Sequence, residues 1–379
     1  MSKVAIIIGT RPEAIKMAPL VVAYQKSGLF ELTVVSTGQH REMLHPILDW
    51  FGIHADVDLE LMKPDQSLAS LSAAGLNALE AVFRKQKPDA VLVQGDTTTA
   101  FMAALAAFYQ KVPVAHVEAG LRTYQKFSPW PEEVNRQLIT RIADLHFAPT
   151  ELNRASLLQE GIDQSVIFVT GNTVIDALLY SAAKIEREPI VPRGLQVIFT
   201  GTRKNDRMVL VTAHRRENLG EGFIAICNAI LRLARQCPDV VFVYPVHMNP
   251  HVREVVFSKL GGVENIHLTA PAGYPEFISL MKRSYLILTD SGGVQEEAPS
   301  LGKPVLVMRN TTERPEGVNA GTVRLVGTDE NELFEAAYRL LSSSTAYQAM
   351  TAVANPYGDG NAAARIVDIL SNRIASRTK

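Results

Sequence analysis

Asp96, Glu118 and Glu132 stand where carboxylates could move protons. Asp96 follows the apolar run VLV (91–93) in VLVQGDTTTAFMAALAA, just before an Ala-rich helical stretch. Glu118 follows the next such run in VPVAHVEAGLRT (112–123), and Glu132 comes after Pro131 in SPWPEEVNRQL (128–138). If the two runs are neighbouring strands, Asp96 and Glu118 emerge at one sheet edge. Carboxylates gathered at one cleft acquire different pKa values, because burial and like charge raise some of them. One can then serve as acid and another as base on opposite faces of a substrate. A plainer reading stays open: Asp96 and Glu118 also suit helix caps, and Glu132, with Glu133 and Arg136, suits a solvated helix face.

An anion site is the second expectation. YLILTDSGGVQEEAPSLGKPVLVMR (285–309) reads as strand, turn, short helix, strand, with Ser291, Gly292 and Gly293 where the helix begins. Glycines let a phosphate approach the backbone, and a helix N-terminus offers unpaired N–H groups and partial positive charge. Glu297, a turn further on, can accept from ribose hydroxyls. A tight turn with no ligand is the alternative. Arg11 and Lys16 occupy the first loop and helix of the chain, His214 and Arg215 the matching loop of its second half, and Arg314 the polar loop RNTTERPEGV (309–318). Each alone suits a surface charge; their shared place after strands suits an anion. A histidine there can donate to phosphate and carry a proton near neutral pH. His247 and His251 have a spacing that a metal can use, but no third ligand and no H-E-x-x-H pattern accompany them, so neither metal nor cofactor is expected. No P-loop, no first-strand G-x-G-x-x-G and no G-x-S-x-G elbow is present.

These side chains need strands to carry them. Apolar runs occur at 4–8, 91–93, 112–117, 208–212, 240–244, 285–289 and 304–308. Runs rich in Val and Ile without polar alternation suit strands buried on both faces. Amphipathic stretches separate them, as in Ala14, Met17, Leu20, Val21 and Tyr24, so the class is α/β with parallel sheets. The pattern runs twice, from VAIIIGTRPEAIK (4–16) and from MVLVTAHRRENLGEGF (208–223). The expected architecture is two Rossmann-like domains facing across a cleft, with ligands outside the carboxyl ends of the strands. The expected boundaries are an N-terminal domain 1–170, a linker 171–200 and a C-terminal domain 201–358, with a last helix 359–379 packing back on the first domain.

Composition sets outer limits. Hydrophobic residues make up 47% and charged residues 20%, with a formal net charge of -1. That balance suits a globular protein and gives no overall pull toward nucleic acid or anionic membrane. The two cysteines, Cys227 and Cys237, do not suggest a disulfide framework, which fits a reduced cytoplasm. The start MSKVAIIIGTRPEA lacks the features of a signal peptide. No apolar stretch approaches the roughly 20 residues of a membrane span.

Ten motifs then stand in order along nearly the whole chain: GTRPEAIKMAPL, TGQHREML, QGDTTT, HVEAGLR, SPWPEE, TGNTVIDAL, HRREN, YPVHMNP, DSGGVQEEAPSLGKPVLVMR and NPYGDG. Together they resemble the non-hydrolysing UDP-N-acetylglucosamine 2-epimerases of bacteria, nearest in type to those serving enterobacterial common antigen synthesis. The resemblance implies a GT-B fold, a homodimer, and interconversion of UDP-N-acetylglucosamine with UDP-N-acetylmannosamine. The implied route is loss of the C2 proton and of UDP, a 2-acetamidoglucal intermediate, and re-addition. Asp96, Glu118 and Glu132 match the family's acid/base carboxylates, and His214 the residue supporting the departing diphosphate. Arg11, Lys16, Ser291, Gly292, Gly293, Glu297 and Arg314 match its UDP contacts. Ala272 and Phe277, in APAGYPEF, fall where uracil is cradled, residue 272 through its main chain. Gln39, His40 and Arg41 match a segment that in some members binds a second UDP-N-acetylglucosamine as activator. Glu42 and Asp65 place negative charge there, which opposes a diphosphate, so activation in that form is not expected. A GT-B glycosyltransferase, a hydrolysing epimerase and a catalytically silent nucleotide-sugar sensor are the competing readings.

Overall fold

The structure, a computed structural model, describes residues 1–38, 41–63, 65–215, 218 and 220–377; for 41–43 and 377 it describes the backbone only. The chain forms two compact units, Met1–Ala177 with Tyr357–Lys379, and Leu178–Pro356. It passes from the first to the second within the helix Thr173–Arg187.

The first unit holds strands β1 (Ser2–Ile8), β2 (Phe30–Ser36), β3 (Val57–Asp58), β4 (Ala90–Gln94), β5 (Val114–Val117), β6 (Leu145–Ala148) and β7 (Ile167–Val169). They pair in parallel in the order β3-β2-β1-β4-β5-β6-β7. The second unit holds β8 (Arg207–Thr212), β9 (Val240–Pro245), β10 (Ile266–Thr269), β11 (Leu286–Thr289), β12 (Val305–Val307) and β13 (Val323–Leu325). Their order is β10-β9-β8-β11-β12-β13, again parallel. In each sheet the winding reverses beside the unit's first strand, between β1 and β4 and between β8 and β11. Loops diverge at such a switch point and leave a crevice at the strand C-termini.

Local chemistry explains the elements around the first switch point. β4 is buried along its whole length, as a strand covered by helices on both faces must be. Behind it, Val91, Leu79, Phe83 and Met102 share one core with the helices Leu68–Gln86 and Thr98–Tyr109. The helix Arg11–Ser27 starts with a Thr10–Glu13 capping box and an early Pro12, and ends at Gly28 in the left-handed region (φ 61°). In the second unit Phe223, Ile230, Phe242, Leu288 and Leu333 pack together, with Cys227 and Cys237 as free thiols in the same core.

The helix Ala362–Arg377 belongs to the first unit. Its first N–H groups are received by the buried Asp176 carboxylate, from Ala362 at 3.3 Å and Ala363 at 2.8 Å. An acidic group at a helix N-terminus meets both the unpaired donors and the dipole. Among the described residues no helix is long and apolar enough to cross a membrane.

Candidate active site

At the first switch point the chain leaves β4 at Gln94 and turns through Gly95 (φ 66°), Asp96 and Thr97 into the helix Thr98–Tyr109. The Thr97 hydroxyl accepts the Ala100 N–H at 3.0 Å, capping that helix, and donates to Glu13 Oε1 at 2.7 Å. The other Glu13 oxygen accepts the N–H groups of Thr10 at 2.7 Å and Gly9 at 3.2 Å. Glu13 thus laces the turn after β1 to the turn after β4.

Burial pushes the Glu13 carboxyl up to about 7, against the pull of the hydrogen bonds from Thr97, Thr10 and Gly9. The native state therefore keeps this proton to higher pH than the unfolded chain does. The stabilisation is complete below the ordinary glutamate range and is lost as pH rises toward 7. Relative to Glu13→Gln, the wild-type unfolding free energy should fall by about 1.4 kcal/mol per pH unit across roughly pH 4.5 to 7. Denaturant titrations of both proteins through that window measure the difference; parallel pH dependence would refute it.

Asp96 is half-buried. Its carboxylate accepts from the Arg136 guanidinium and its carbonyl accepts from Asn135 Nδ2 at 2.9 Å. Burial raises the Asp96 pKa, with Glu118 adding to the rise and Arg136 and Lys16 opposing it. Glu118 has φ 61°, a conformation that costs a residue with a Cβ and that collects at functional sites. Its Oε1 accepts from Lys16 Nζ at 2.5 Å and from Asn172 Nδ2 at 3.1 Å, and its Oε2 accepts from Gln94. The structure thus gathers Lys16, Asp96 and Glu118 at one sheet edge.

Arg11 is half-buried at the first residue of its helix. Glu132 is half-buried at the first residue of the helix Glu132–Ile142 and makes no side-chain hydrogen bond among the described residues. Its neighbours require a correction. Glu133 and Arg136 do not form a solvated face: their side chains are 0% and 7% exposed. Glu133 accepts the N–H groups of Thr123 and Tyr124, both at 3.0 Å, and Arg136 bridges Glu133 and Asp96. A buried carboxylate needs such donors, and this one ties down the loop that follows Glu118.

At the second switch point the organising group is Asp290, which directly follows β11 and is fully buried. Its Oδ2 accepts the N–H groups of His214 at 2.8 Å and Arg215 at 2.7 Å, and the Asn218 amide at 3.3 Å. Its Oδ1 lies 3.6 Å from His214 Nδ1. Burial lowers the His214 pKa; Asp290 opposes this, while His247 and Arg215 push the same way as burial. The His214 and His247 rings stack at 5.1 Å with an interplanar angle of 11°. His251 is the second residue of the helix Pro250–Leu260, where its N–H is capped by Asn249 Oδ1 at 3.0 Å.

Ser291, Gly292, Gly293, Glu297 and Arg314 also come together. Ser291 N–H donates to Thr289 Oγ1 at 2.9 Å. A Cβ on Gly292 would stand 2.6 Å from Arg314 Nη1, so the missing side chain is what admits the guanidinium. Arg314 pairs with Glu296, and a Cβ on Gly293 would lie 3.3 Å from Glu297 Oε1. Ala272 lies in the loop after β10 and Phe277 in the helix Tyr274–Arg283, both half-buried. Gln39 and His40 lie outside the described residues, and Arg41 begins the helix Arg41–Phe51.

Two Rossmann-ordered parallel sheets, an acid cluster at one switch point and an aspartate-anchored, glycine-lined turn at the other define an α/β protein of the two-domain GT-B class. Residues 22–371 match the UDP-N-acetylglucosamine 2-epimerase family. The UDP-N-acetylglucosamine 2-epimerase of Yersinia pestis is 53% identical over 370 residues, covering 98% of each chain. The Escherichia coli K12 enzyme of the same name is likewise 53% identical over 370 residues, with 98% of each chain covered. The crystal structure of the Neisseria meningitidis UDP-GlcNAc 2-epimerase bound to UDP-GlcNAc aligns with a TM-score of 0.87 at 50% identity, covering 97% of this chain and 99% of that one. The chain belongs to this family and is an isomerase.

Proposed function

We propose that the enzyme inverts C2 of UDP-N-acetylglucosamine, interconverting it with UDP-N-acetylmannosamine, and that UDP leaves and returns on the way. The observation that carries the proposal is the Asp96–Glu118–Lys16 cluster at the first switch point, with Asp96 held above its ordinary range. A proton beside an acetal carbon is weakly acidic, so its removal needs a positioned base and strong support for the leaving group. The C2–H electron pair becomes the C1=C2 bond of 2-acetamidoglucal as the C1–O pair departs with UDP. Re-addition reverses both changes, and the proton arrives on the other face of C2. Asp96, Glu118 and Glu132 supply the acid and base groups.

In the second unit His214 supports the diphosphate. With Nδ1 directed toward Asp290, its Nε2 is the nitrogen left for a phosphate oxygen. Ser291, Gly292, Gly293, Glu297 and Arg314 contact the nucleotide, and Ala272 and Phe277 hold the base; in the first unit Arg11 and Lys16 are the cations available to an anionic substrate. We further propose that the enzyme is a cytoplasmic homodimer supplying N-acetylmannosamine units for cell-surface polysaccharide. Gel filtration with light scattering tests the dimer.

Incubation with UDP-N-acetylglucosamine alone in deuterated water tests the reaction. Proton NMR should show the manno epimer with deuterium at C2, no acceptor being present. No incorporation would leave a nucleotide-sugar sensor, and free N-acetylmannosamine would mean a hydrolysing enzyme.

A further inference from the structure

The turn that carries Asp96 is short, and each of its residues is held by a different element. Gly95 donates its N–H to Val117 O at 2.9 Å, and its own carbonyl lies 2.7 Å from His116 Nε2. Asp96 is held through its carbonyl and carboxylate by Asn135 and Arg136. Thr97 is held by Glu13. We propose that His116 is a positioning residue for the reaction: its Nε2–H, donated to the Gly95 carbonyl, sets the direction in which the turn presents Asp96. The inference rests on the reading of Asp96 as an acid/base group.

Geometry supplies the argument. Gly95 is in the left-handed region (φ 66°), and a glycine has little intrinsic stiffness. The peptide plane between Gly95 and Asp96 contains the Gly95 carbonyl. Fixing that oxygen orients the plane that ends at the Asp96 Cα; with the Asp96 carbonyl held from the other side by Asn135, the Cα–Cβ direction is then set. His116 is suited to do this from behind. It lies on β5, completely buried, two residues before Glu118. A buried imidazole is costly unless it is hydrogen-bonded, and an aliphatic side chain would pack there without that cost. A carbonyl oxygen only accepts, so Nε2 must carry the proton. Burial drives the ring's pKa down to about 3, against the Gly95 carbonyl, and His146, Arg122 and Arg136 push it the same way as burial. The ring therefore stays neutral through the working pH range, with one N–H and one place to put it.

The test compares His116→Gln with His116→Asn. Both replacements are neutral amides. Only glutamine places its amide nitrogen where imidazole Nε2 stands; the asparagine amide is one bond too short. His116→Gln should keep kcat within about fivefold, the scale of one modest hydrogen-bond change. His116→Asn should lose kcat about 10²-fold, the scale of a misplaced reacting group, with UDP affinity by calorimetry unchanged. Equal kcat for the two variants, whether both active or both impaired, would overturn the inference. If the Asn variant does not fold, the Gln variant decides alone: a loss of about 10²-fold at native Tm overturns it, and near-native kcat supports it. Asp96→Asn is the control. Wild-type turnover there defeats the assignment of Asp96. A dead Asp96→Asn beside indistinguishable His116 variants defeats only the role of His116.

Discussion

Asp96→Asn should lower kcat by about 10²–10⁴-fold, the usual cost of removing a general acid or base, while UDP binds as before. The substitution preserves shape but leaves no group at that position that can take and return a proton. Asp96 is held by Arg136, by Asn135 and by the flanking Gly95 and Thr97 contacts, so the turn has support besides the carboxylate charge. Two measurements locate the defect. Deuterium exchange at C2 should fall together with net epimerisation if Asp96 handles the proton. Exchange at the wild-type rate with slow epimerisation would move the role of Asp96 elsewhere. Burial raises the Asp96 pKa, so a reaction that needs its anion loses activity as pH falls through a value above the ordinary aspartate range. The acid limb of kcat/KM should then disappear in the Asn variant.

The parts of the fold legible in the sequence were those governed by burial on both faces. All seven apolar runs became strands, because a central parallel strand covered by helices must be apolar throughout. Strands with exposed positions escaped the same reading. β2 (FELTVVS) carries an exposed Glu31, β3 spans only Val57–Asp58, and β13 (VRL) carries an exposed Arg324. β3 and β13 are edge strands, which need no continuous apolar run, so periodicity does not separate them from loops; β2 pairs on both sides yet is exposed at Glu31, and β6 (LHFA) is buried throughout but is short and broken by His146. The site followed the same division. Asp96, Glu118 and His214 lie directly after apolar strands, and the ends of strands can be read from one sequence.

The groups that hold those side chains could not be read in this way. Asn172 reaches Glu118 from a loop and Gln94 from the end of β4, and such pairings depend on how distant segments meet. Glu133 and Arg136 have the spacing of an exposed helical ion pair. The loop folded over them, and nothing in their spacing reports it. Asp290 was visible, immediately before SGG at the end of a strand. Its burial, which makes it the organiser of the turn, has no signal in its type or spacing.

Asp290→Ala should disrupt the turn at the second switch point. The carboxylate is 0% exposed and receives two main-chain N–H groups and one amide. Alanine would leave one buried and two partly buried donors without this partner, at about 1–3 kcal/mol each, so a loss of about 3 kcal/mol in stability is expected. The loop after β8 would lose its anchor, and UDP affinity should fall by about 10²-fold or more, comparable to cutting a buried charged partner. Asp290→Asn separates anchoring from charge. Its carbonyl oxygen can still accept the His214 and Arg215 N–H groups, so folding and much of the affinity should survive. The negative charge that raises the His214 pKa against burial would be gone. The His214 ring should therefore titrate at lower pH in Asp290→Asn than in the wild type, followed by NMR of its ring protons. An unchanged or higher pKa would mean that Asp290 acts on the loop backbone alone, and the orientation of the imidazole would need another cause.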